Sequence, residues 1–148
     1  MREIVKRTNV LVSKEEAYKA WTTSEGINAF FGEDSNIELK VNGTFEVYFS
    51  KSSQVGFRGS EGCQIIQFKE NEFVEFSWNV PPVFKKEREE NYQSIVRIDF
   101  ISISHNVTEV RLTNTYQKKT ESLDQIMTYF DSAWDYVLDE FTKVMNHL

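Results

Sequence analysis

The sequence predicts an α+β domain in which helices cover one face of an antiparallel sheet. Apolar residues in the last segment, 122–148, recur every three or four positions, which is the period of an amphipathic helix. Residues 35–116 instead alternate between apolar and polar side chains, which is the period of strands. The other helical patterns directly follow the first strand. Successive strands with helices segregated at the ends are typical of this fold class.

Length and composition indicate one folded domain, residues 1–148. The chain has 148 residues, of which 40% are hydrophobic and 14% aromatic, and this is enough to bury a core. Its net charge of −6 argues against binding to nucleic acid or to an anionic membrane surface, since both require a basic face. No apolar run has the length of a signal peptide or a membrane span, so we expect a cytoplasmic protein without membrane insertion.

The chain begins with a predicted strand, residues 2–12, which is followed by two short helices. Ser13 and Glu16 form a capping box that starts a helix running through Trp21. A second short helix, residues 25–31, follows a further capping residue. Both helices therefore precede the first β-hairpin.

Six further strands are predicted between residues 35 and 116. The turn signal Asn42-Gly43 separates the first two, and Pro81-Pro82 ends the fourth because proline cannot continue a strand ladder. The segments that carry these strands are 35–41, 44–49, 63–68, 74–80, 96–100 and 110–116. The result is a curved antiparallel sheet of about six or seven strands.

The final helix is predicted over residues 122–148 and would be roughly 40 Å long. Ser122 and Gln125 form a second capping box, and Asp124 suits the positive end of the helix dipole. Residues 83–93, which lie upstream, are rich in charge and are predicted to form a mobile loop. The apolar face of the helix consists of Leu123, Ile126, Met127, Phe130, Ala133, Trp134, Val137, Leu138, Phe141, Val144, Met145 and Leu148.

Short motifs across nearly the whole chain resemble one superfamily. They are VSKEE at 12–16, AWT at 20–22, EG at 25–26, FF at 30–31, GTF at 43–45, FSW at 76–78, TEVRL at 108–112 and the aromatic final helix. On these motifs the chain resembles the START-like, helix-grip superfamily, and specifically stand-alone proteins similar to the C-terminal domain of the activator of Hsp90 ATPase. The resemblance implies a helix-grip fold, in which the sheet wraps around the long C-terminal helix.

The sequence offers little for metal binding, covalent catalysis or a cofactor. His105 and His147 are the only histidines, so a transition metal would need an all-carboxylate shell and we expect no metal site. Cys63, the only cysteine, is interpreted as a small buried hydrophobe. The pairs Glu15-Glu16 and Glu89-Glu90 are interpreted as solvated faces rather than acid–base catalysts. No phosphate-binding or dinucleotide-binding glycine motif is present, so no cofactor is predicted.

The aromatic residues give the strongest indication of function. A sheet that wraps one helix does not fill its whole concavity, and ligand pockets are typically apolar with a few polar groups. Asn114 and Tyr116 are predicted to orient a ligand, with Met127 facing them. Each aromatic residue taken alone is also explained by core packing. The predicted ligand-binding residues are Trp21, Phe31, Phe45, Phe49, Phe76, Trp78, Phe100, Asn114, Tyr116, Met127, Phe130 and Trp134.

Three functions stay open. The leading hypothesis is the binding of a small hydrophobic or amphipathic molecule, without catalysis. The second is a cyclase-like or aromatase-like enzyme, as the wider superfamily contains, with Tyr116, or Arg97 and Asp99, as acid–base candidates. The third is a chaperone-associated interaction, which ranks last because the Hsp90 activator also depends on a separate N-terminal domain. The sheet edges are also compatible with a homodimer.

Overall fold

The computed structural model describes residues 2–148 and has the predicted α+β architecture. Within these residues, seven strands and four helices follow the predicted order, with one short helix more than the sequence predicts. The elements are β1 (Arg2–Val10), α1 (Lys14–Thr22), α2 (Ser24–Phe30), β2 (Asp34–Ile37), β3 (Phe45–Tyr48), β4 (Ile65–Lys69), β5 (Phe73–Asn79), α3 (Lys85–Glu89), β6 (Gln93–Ser104), β7 (Val107–Tyr116) and α4 (Leu123–Asn146).

The strands form an antiparallel sheet with an attached hairpin. Five strands lie in the order β1-β7-β6-β5-β4, and β2 pairs with β3. The hairpin joins the β4 end of the large sheet, because the Phe45 amide donates to the Cys63 carbonyl at 2.9 Å. The Ser60 amide likewise donates to the Val47 carbonyl at 2.9 Å. A register shift between Ile65 and Gln67 marks the start of β4.

One face of the sheet packs against α4 and forms the core. Val74, Phe76 and Trp78 are buried in alternation along β5, as a period of two predicts. Phe45 stacks on Phe76 with the ring centroids 3.9 Å apart, which fixes the hairpin against β5. The buried residues of α4 are Leu123, Ile126, Phe130, Trp134, Val137, Leu138, Phe141 and Met145.

The long helix has 24 residues, so its length is about 36 Å. The fully buried ring of Trp21, near the end of α1, packs edge-on against Phe30 and Phe141 at centroid distances of 5.0 and 5.5 Å. These aromatic contacts join both short helices to α4. Among residues 2–148, α4 included, no helix combines the length and the apolarity needed to cross a membrane.

Two of the three predicted helix starts follow the local sequence signals. The Ser13 hydroxyl accepts a hydrogen bond from the Glu16 amide at 3.2 Å and caps α1. Thr23 caps α2 in the same way, through the Gly26 amide at 3.1 Å. The predicted capping box at Ser122 is wrong, because the Ser122 side chain makes no capping hydrogen bond.

The segment 83–93 is not the loop that its charge predicts. Residues 85–89 form α3, and Glu87 within it is 1% exposed. The Glu87 carboxylate accepts hydrogen bonds from the Thr120 hydroxyl at 2.9 Å and from the Ser122 amide at 3.1 Å. A side chain distant in sequence thus caps α4, which is why the local pattern at Ser122 fails.

The first hairpin is shorter than its alternation predicts. β2 ends at Ile37, and Leu39 and Val41 are 39% and 60% exposed. The predicted turn at Asn42-Gly43 is present, with Asn42 at a φ of 64°. The Asn42 amide donates to the Ile65 carbonyl, so this stretch hydrogen-bonds to the start of β4 rather than extending β2.

Candidate functional site

A pocket of about 830 Å³ opens between α4 and the end of β5. We call it the sheet–helix pocket. Its volume lies within the range of about 300–1,000 Å³ that small-molecule sites occupy. It is lined by Phe31, Phe49, Ser50, Phe57, Arg58, Gly59, Trp78, Asn79, Pro81, Pro82, Arg88, Thr128, Tyr129, Phe130, Ser132, Ala133, Trp134, Tyr136 and Val137.

The inner wall of the pocket is a cluster of buried aromatic rings. Trp78 from β5 packs against Trp134 from α4 with a centroid distance of 5.5 Å. Phe31 lies 5.3 Å from Trp78, and Phe130 stacks on Trp134 at 5.8 Å. Because all four side chains are less than 10% exposed, the wall is part of the protein core.

The mouth of the pocket is lined by aromatic rings that remain in contact with water. Phe49 and Phe57 are 47% and 51% exposed, and Tyr129 and Tyr136 on α4 are 45% and 66% exposed. Soluble proteins rarely expose several large apolar side chains side by side, and such patches mark sites of interaction. The four rings therefore distinguish this depression from an ordinary surface groove.

A fully satisfied polar network holds Trp134 in place. The Trp134 indole N–H donates to Asn114 Oδ1 at 3.0 Å, and the Tyr116 hydroxyl donates to the same oxygen at 2.6 Å. Asn114 Nδ2 donates to the Ser94 hydroxyl at 2.9 Å and to the Ile95 carbonyl at 3.1 Å. Burial raises the pKa of Tyr116, which keeps the phenol protonated as the donor.

The loop 55–62 brings a positive charge to the pocket. The Glu61 carboxylate accepts hydrogen bonds from the backbone amides of Gly56, Arg58 and Gly59, which fixes the loop. Burial opposes ionisation of Glu61, but these amides and the Arg58 side chain outweigh it and lower the pKa of the carboxyl. The Arg58 guanidinium lies 4.5 Å from the centre of the Tyr48 ring.

Helix α3 connects this loop to the rest of the pocket. Arg88 donates to the Val80 carbonyl at 2.6 Å and to the carbonyls of Gly56 and Gly59 at 2.7 and 3.0 Å. It also lies 3.5 Å from Glu61. Since Glu87 of the same helix caps α4, α3 fixes three parts of the pocket rim relative to one another.

The structure brings together only part of the predicted site. Phe31, Phe49, Trp78, Phe130 and Trp134 line the pocket, and their role in binding stays a prediction. Seven predicted residues do not line it, and these are Trp21, Phe45, Phe76, Phe100, Asn114, Tyr116 and Met127.

Those seven residues lie elsewhere for definite physical reasons. Phe45 and Phe76 stack on each other in the core. Trp21 packs against Phe141, and Phe100 packs against Tyr18, with a centroid distance of 5.5 Å. Asn114 Oδ1 accepts from Tyr116 and Trp134, and Asn114 Nδ2 donates to Ser94 and to the Ile95 carbonyl, so these polar atoms are already engaged and do not orient a ligand. Met127 lies in a separate, shallow depression next to β1.

Several lining residues were not predicted, although one set had a visible pattern. Tyr129, Ser132, Ala133, Tyr136 and Val137 follow the spacing i, i+3, i+4, i+7, i+8, so they share one helix face beside the core-facing stripe. Two of the five are tyrosines, which are typical of half-exposed positions. Arg58 and Arg88 follow no such pattern. Arg88 is placed by hydrogen bonds to the distant carbonyls of Gly56 and Gly59, and Arg58 by the fold of its own loop around Glu61.

Apart from Tyr129 and Tyr136, the ionisable side chains that line the pocket within residues 2–148 are arginines. Within residues 2–148, its only charged lining side chains are two arginines, and the lining includes no histidine, carboxylate, lysine or cysteine. No cluster of three or more histidine, cysteine or acidic side chains suits a metal ion within the same residues. Cys63 is buried, and burial raises the pKa of its thiol to about 12, as expected for an inert core residue.

Comparison with known structures supports the fold. The Aha1 dimer from Colwellia psychrerythraea matches with a TM-score of 0.71 and 19% identity, over 99% of this chain and 97% of that one. An Hsp90 activator from Plasmodium falciparum matches with a TM-score of 0.72 and 18% identity, over 97% and 96%. A protein from Arthrobacter aurescens reaches 0.75 at 9% identity, over 99% and 87%. These chains share the helix-grip fold with this protein.

The family follows from the sequence itself. No curated protein matches the chain at a significant level. The family model described as Activator of Hsp90 ATPase homolog 1-like protein matches residues 11–146, which is almost the entire chain. The match agrees with the resemblance carried by the motifs at 12–16, 20–22 and 108–112. The chain therefore belongs to the Activator of Hsp90 ATPase homolog 1-like family.

Proposed function

We propose that the sheet–helix pocket binds a small molecule with an apolar body. The observation that carries this proposal is a single depression that combines a buried aromatic wall with four half-exposed aromatic rings at its mouth. A pocket of this kind removes apolar ligand surface from water, which contributes roughly 25 cal/mol per Å². The buried wall also requires little reorganisation, because Trp134 is already held by Asn114.

The enzyme hypothesis has no comparable support. Proton transfer needs a group of suitable pKa within hydrogen-bond reach of the substrate. Of the candidates that the sequence suggests, Tyr116 is hydrogen-bonded to Asn114 behind the pocket. Arg97 and Asp99 bond to each other at 3.1 Å, and they alternate with the inward-facing residues of β6. None of these three residues lines the pocket.

The test is a titration with 1-pyrenebutanol, a neutral apolar probe, monitored by energy transfer from tryptophan. We expect saturable binding to the wild-type protein. Ala133→Phe fills the pocket from the middle of α4 and should weaken binding at least about tenfold, because the probe and the new ring compete for the same space. Gln125→Phe adds the same ring to the exposed side of α4 and is the matched control. Equal binding by both variants would reject the proposal.

The oligomeric state is a separate prediction. The matching protein from Colwellia psychrerythraea is a dimer, and this chain shares its fold. We propose a homodimer for this protein. Sedimentation velocity would test this proposal, and a dimer would show twice the mass of the 17.4 kDa chain.

A further inference from the structure

We propose that the molecule bound in the sheet–helix pocket is an amphipathic anion, an apolar body that ends in a carboxylate, and that Arg58 binds the carboxylate. This inference rests on the proposed function and adds the chemical class of the ligand. The protein carries a net charge of −6, yet the charged side chains that line the pocket, within residues 2–148, are two arginines.

Arg58 has hydrogen-bonding capacity to spare. Its Nε donates to Glu61 at 3.3 Å, and its guanidinium lies over the Tyr48 ring. Its two terminal nitrogens donate no hydrogen bond to any side chain or carbonyl of residues 2–148, and the side chain is 27% exposed. These nitrogens form the planar fork that binds a carboxylate through two parallel hydrogen bonds.

Arg88 has a different part in the site. Three backbone carbonyls take its hydrogen bonds, and its side chain is only 11% exposed. Its role is therefore to hold the loop 55–62 and to add positive charge next to Arg58. Both arginines lie beside the single carboxylate of Glu61, at 3.3 Å from Arg58 and 3.5 Å from Arg88. The pair therefore keeps one uncompensated positive charge, to which Arg88 contributes without competing for the ligand.

The acidic groups nearby do not cancel this potential at the lining. Glu61 is tied to three backbone amides and to Arg58, and it offsets one of the two arginines. Glu46 accepts hydrogen bonds from the Tyr48 hydroxyl and the Gly62 amide and does not line the pocket. The lining thus joins an aromatic wall to one available guanidinium, and this is the complement of a molecule with one apolar and one anionic part.

The test compares two probes that differ only in their end group, 1-pyrenebutyrate and 1-pyrenebutanol. We expect wild-type protein to bind the carboxylate more tightly than the alcohol. Arg58→Gln should lower the affinity for pyrenebutyrate about tenfold and change the affinity for pyrenebutanol by less than about twofold. The matched control is Arg97→Gln, which removes the same charge from an arginine that does not line the pocket and is 37% exposed. It should alter neither affinity.

The outcomes separate the two proposals. If pyrenebutanol binds and Ala133→Phe lowers its affinity, but Arg58→Gln changes the affinities of both probes equally, the proposed binding function is retained and the anionic ligand is rejected. If pyrenebutanol does not bind to the pocket, the proposed function itself fails. If Arg58→Gln does not fold, the wild-type protein provides the test. Raising NaCl from about 0.01 M to about 1 M must selectively weaken the binding of pyrenebutyrate, because salt screens the partly exposed Arg58 guanidinium. Equal salt dependence of both probes overturns the inference.

Discussion

Replacing Asn114 by alanine should destabilise this protein more than almost any other single polar substitution. Asn114 is fully buried, and its amide group makes four hydrogen bonds. Truncation leaves the Trp134 indole N–H and the Tyr116 hydroxyl buried without an acceptor. An unsatisfied buried donor costs about 1–3 kcal/mol. With two such donors, we expect the free energy of unfolding to fall by about 3–5 kcal/mol, at the upper end of single substitutions.

The assay is equilibrium unfolding in urea at pH 7, followed by tryptophan fluorescence and by circular dichroism. Coincident transitions for wild type would also support the prediction that residues 1–148 form one cooperative domain. Asn79→Ala is the matched control, because Asn79 is 8% exposed and its side-chain amide makes two longer hydrogen bonds of 3.3 Å. We expect this control to lose about 1–2 kcal/mol.

The result that would refute the argument is a loss of less than about 1 kcal/mol for Asn114→Ala with an unchanged slope against urea. Such a result would mean that the network contributes little net free energy. It would also mean that Trp134 keeps its position through ring packing alone, with Phe130 and Trp78.

Three further predictions concern the residues around the pocket. Glu87→Gln should lower the free energy of unfolding by about 1–2 kcal/mol at pH 7, since it removes the charge that caps α4. Burial opposes ionisation of Glu87, but the hydrogen bonds from Thr120 and Ser122 hold its pKa below the ordinary 4.5. Its contribution to the free energy of unfolding is therefore present above pH 4.5 and is lost as the pH falls through the lowered value. Urea unfolding between pH 7 and pH 3 should show a weaker acid dependence in the variant, and an unchanged dependence would contradict this. Trp134→Phe should lower the free energy of unfolding by about 1–3 kcal/mol and also weaken the binding of pyrenebutanol, because Trp134 both hydrogen-bonds to Asn114 and lines the pocket. A change in only one of the two measurements would show that one of these roles is absent. Cys63 should react with a thiol reagent at neutral pH only at the rate of unfolding, since burial raises its pKa to about 12, and rapid labelling of the native protein would disprove its burial.

The parts of the fold that the sequence predicts well are those fixed by local patterns. Ser13 starts α1 through its own hydroxyl, and the alternation of Val74, Phe76 and Trp78 gives both β5 and its inward face. The three-and-four spacing of apolar residues gives α4 and its buried side. In each case the side chains within a few positions of one another carry the necessary information.

The parts that the sequence does not predict depend on partners far along the chain. Helix α3 has the composition of a solvated loop. It is stabilised because Glu87 accepts hydrogen bonds from residues at the start of α4, and because Arg88 donates to carbonyls some thirty residues earlier in the chain. The sequence predicts that Asn114 faces a ligand because it continues the inward face of a strand, but the same inward position makes its amide available to Trp134. The inward direction of a strand side chain predicts that the side chain is buried. It does not predict whether the side chain packs in the core or lines the pocket.

The most direct test of the central claim is a proton–nitrogen correlation spectrum of the three tryptophan indole groups during titration with 1-pyrenebutanol. Trp78 and Trp134 line the pocket, whereas Trp21 is buried outside it and serves as an internal control. We predict that the indole signals of Trp78 and Trp134 shift with one common affinity while the Trp21 signal stays in place. Three unchanged signals at saturating probe, or a shift of Trp21 alone, would contradict the claim that this pocket binds small apolar molecules.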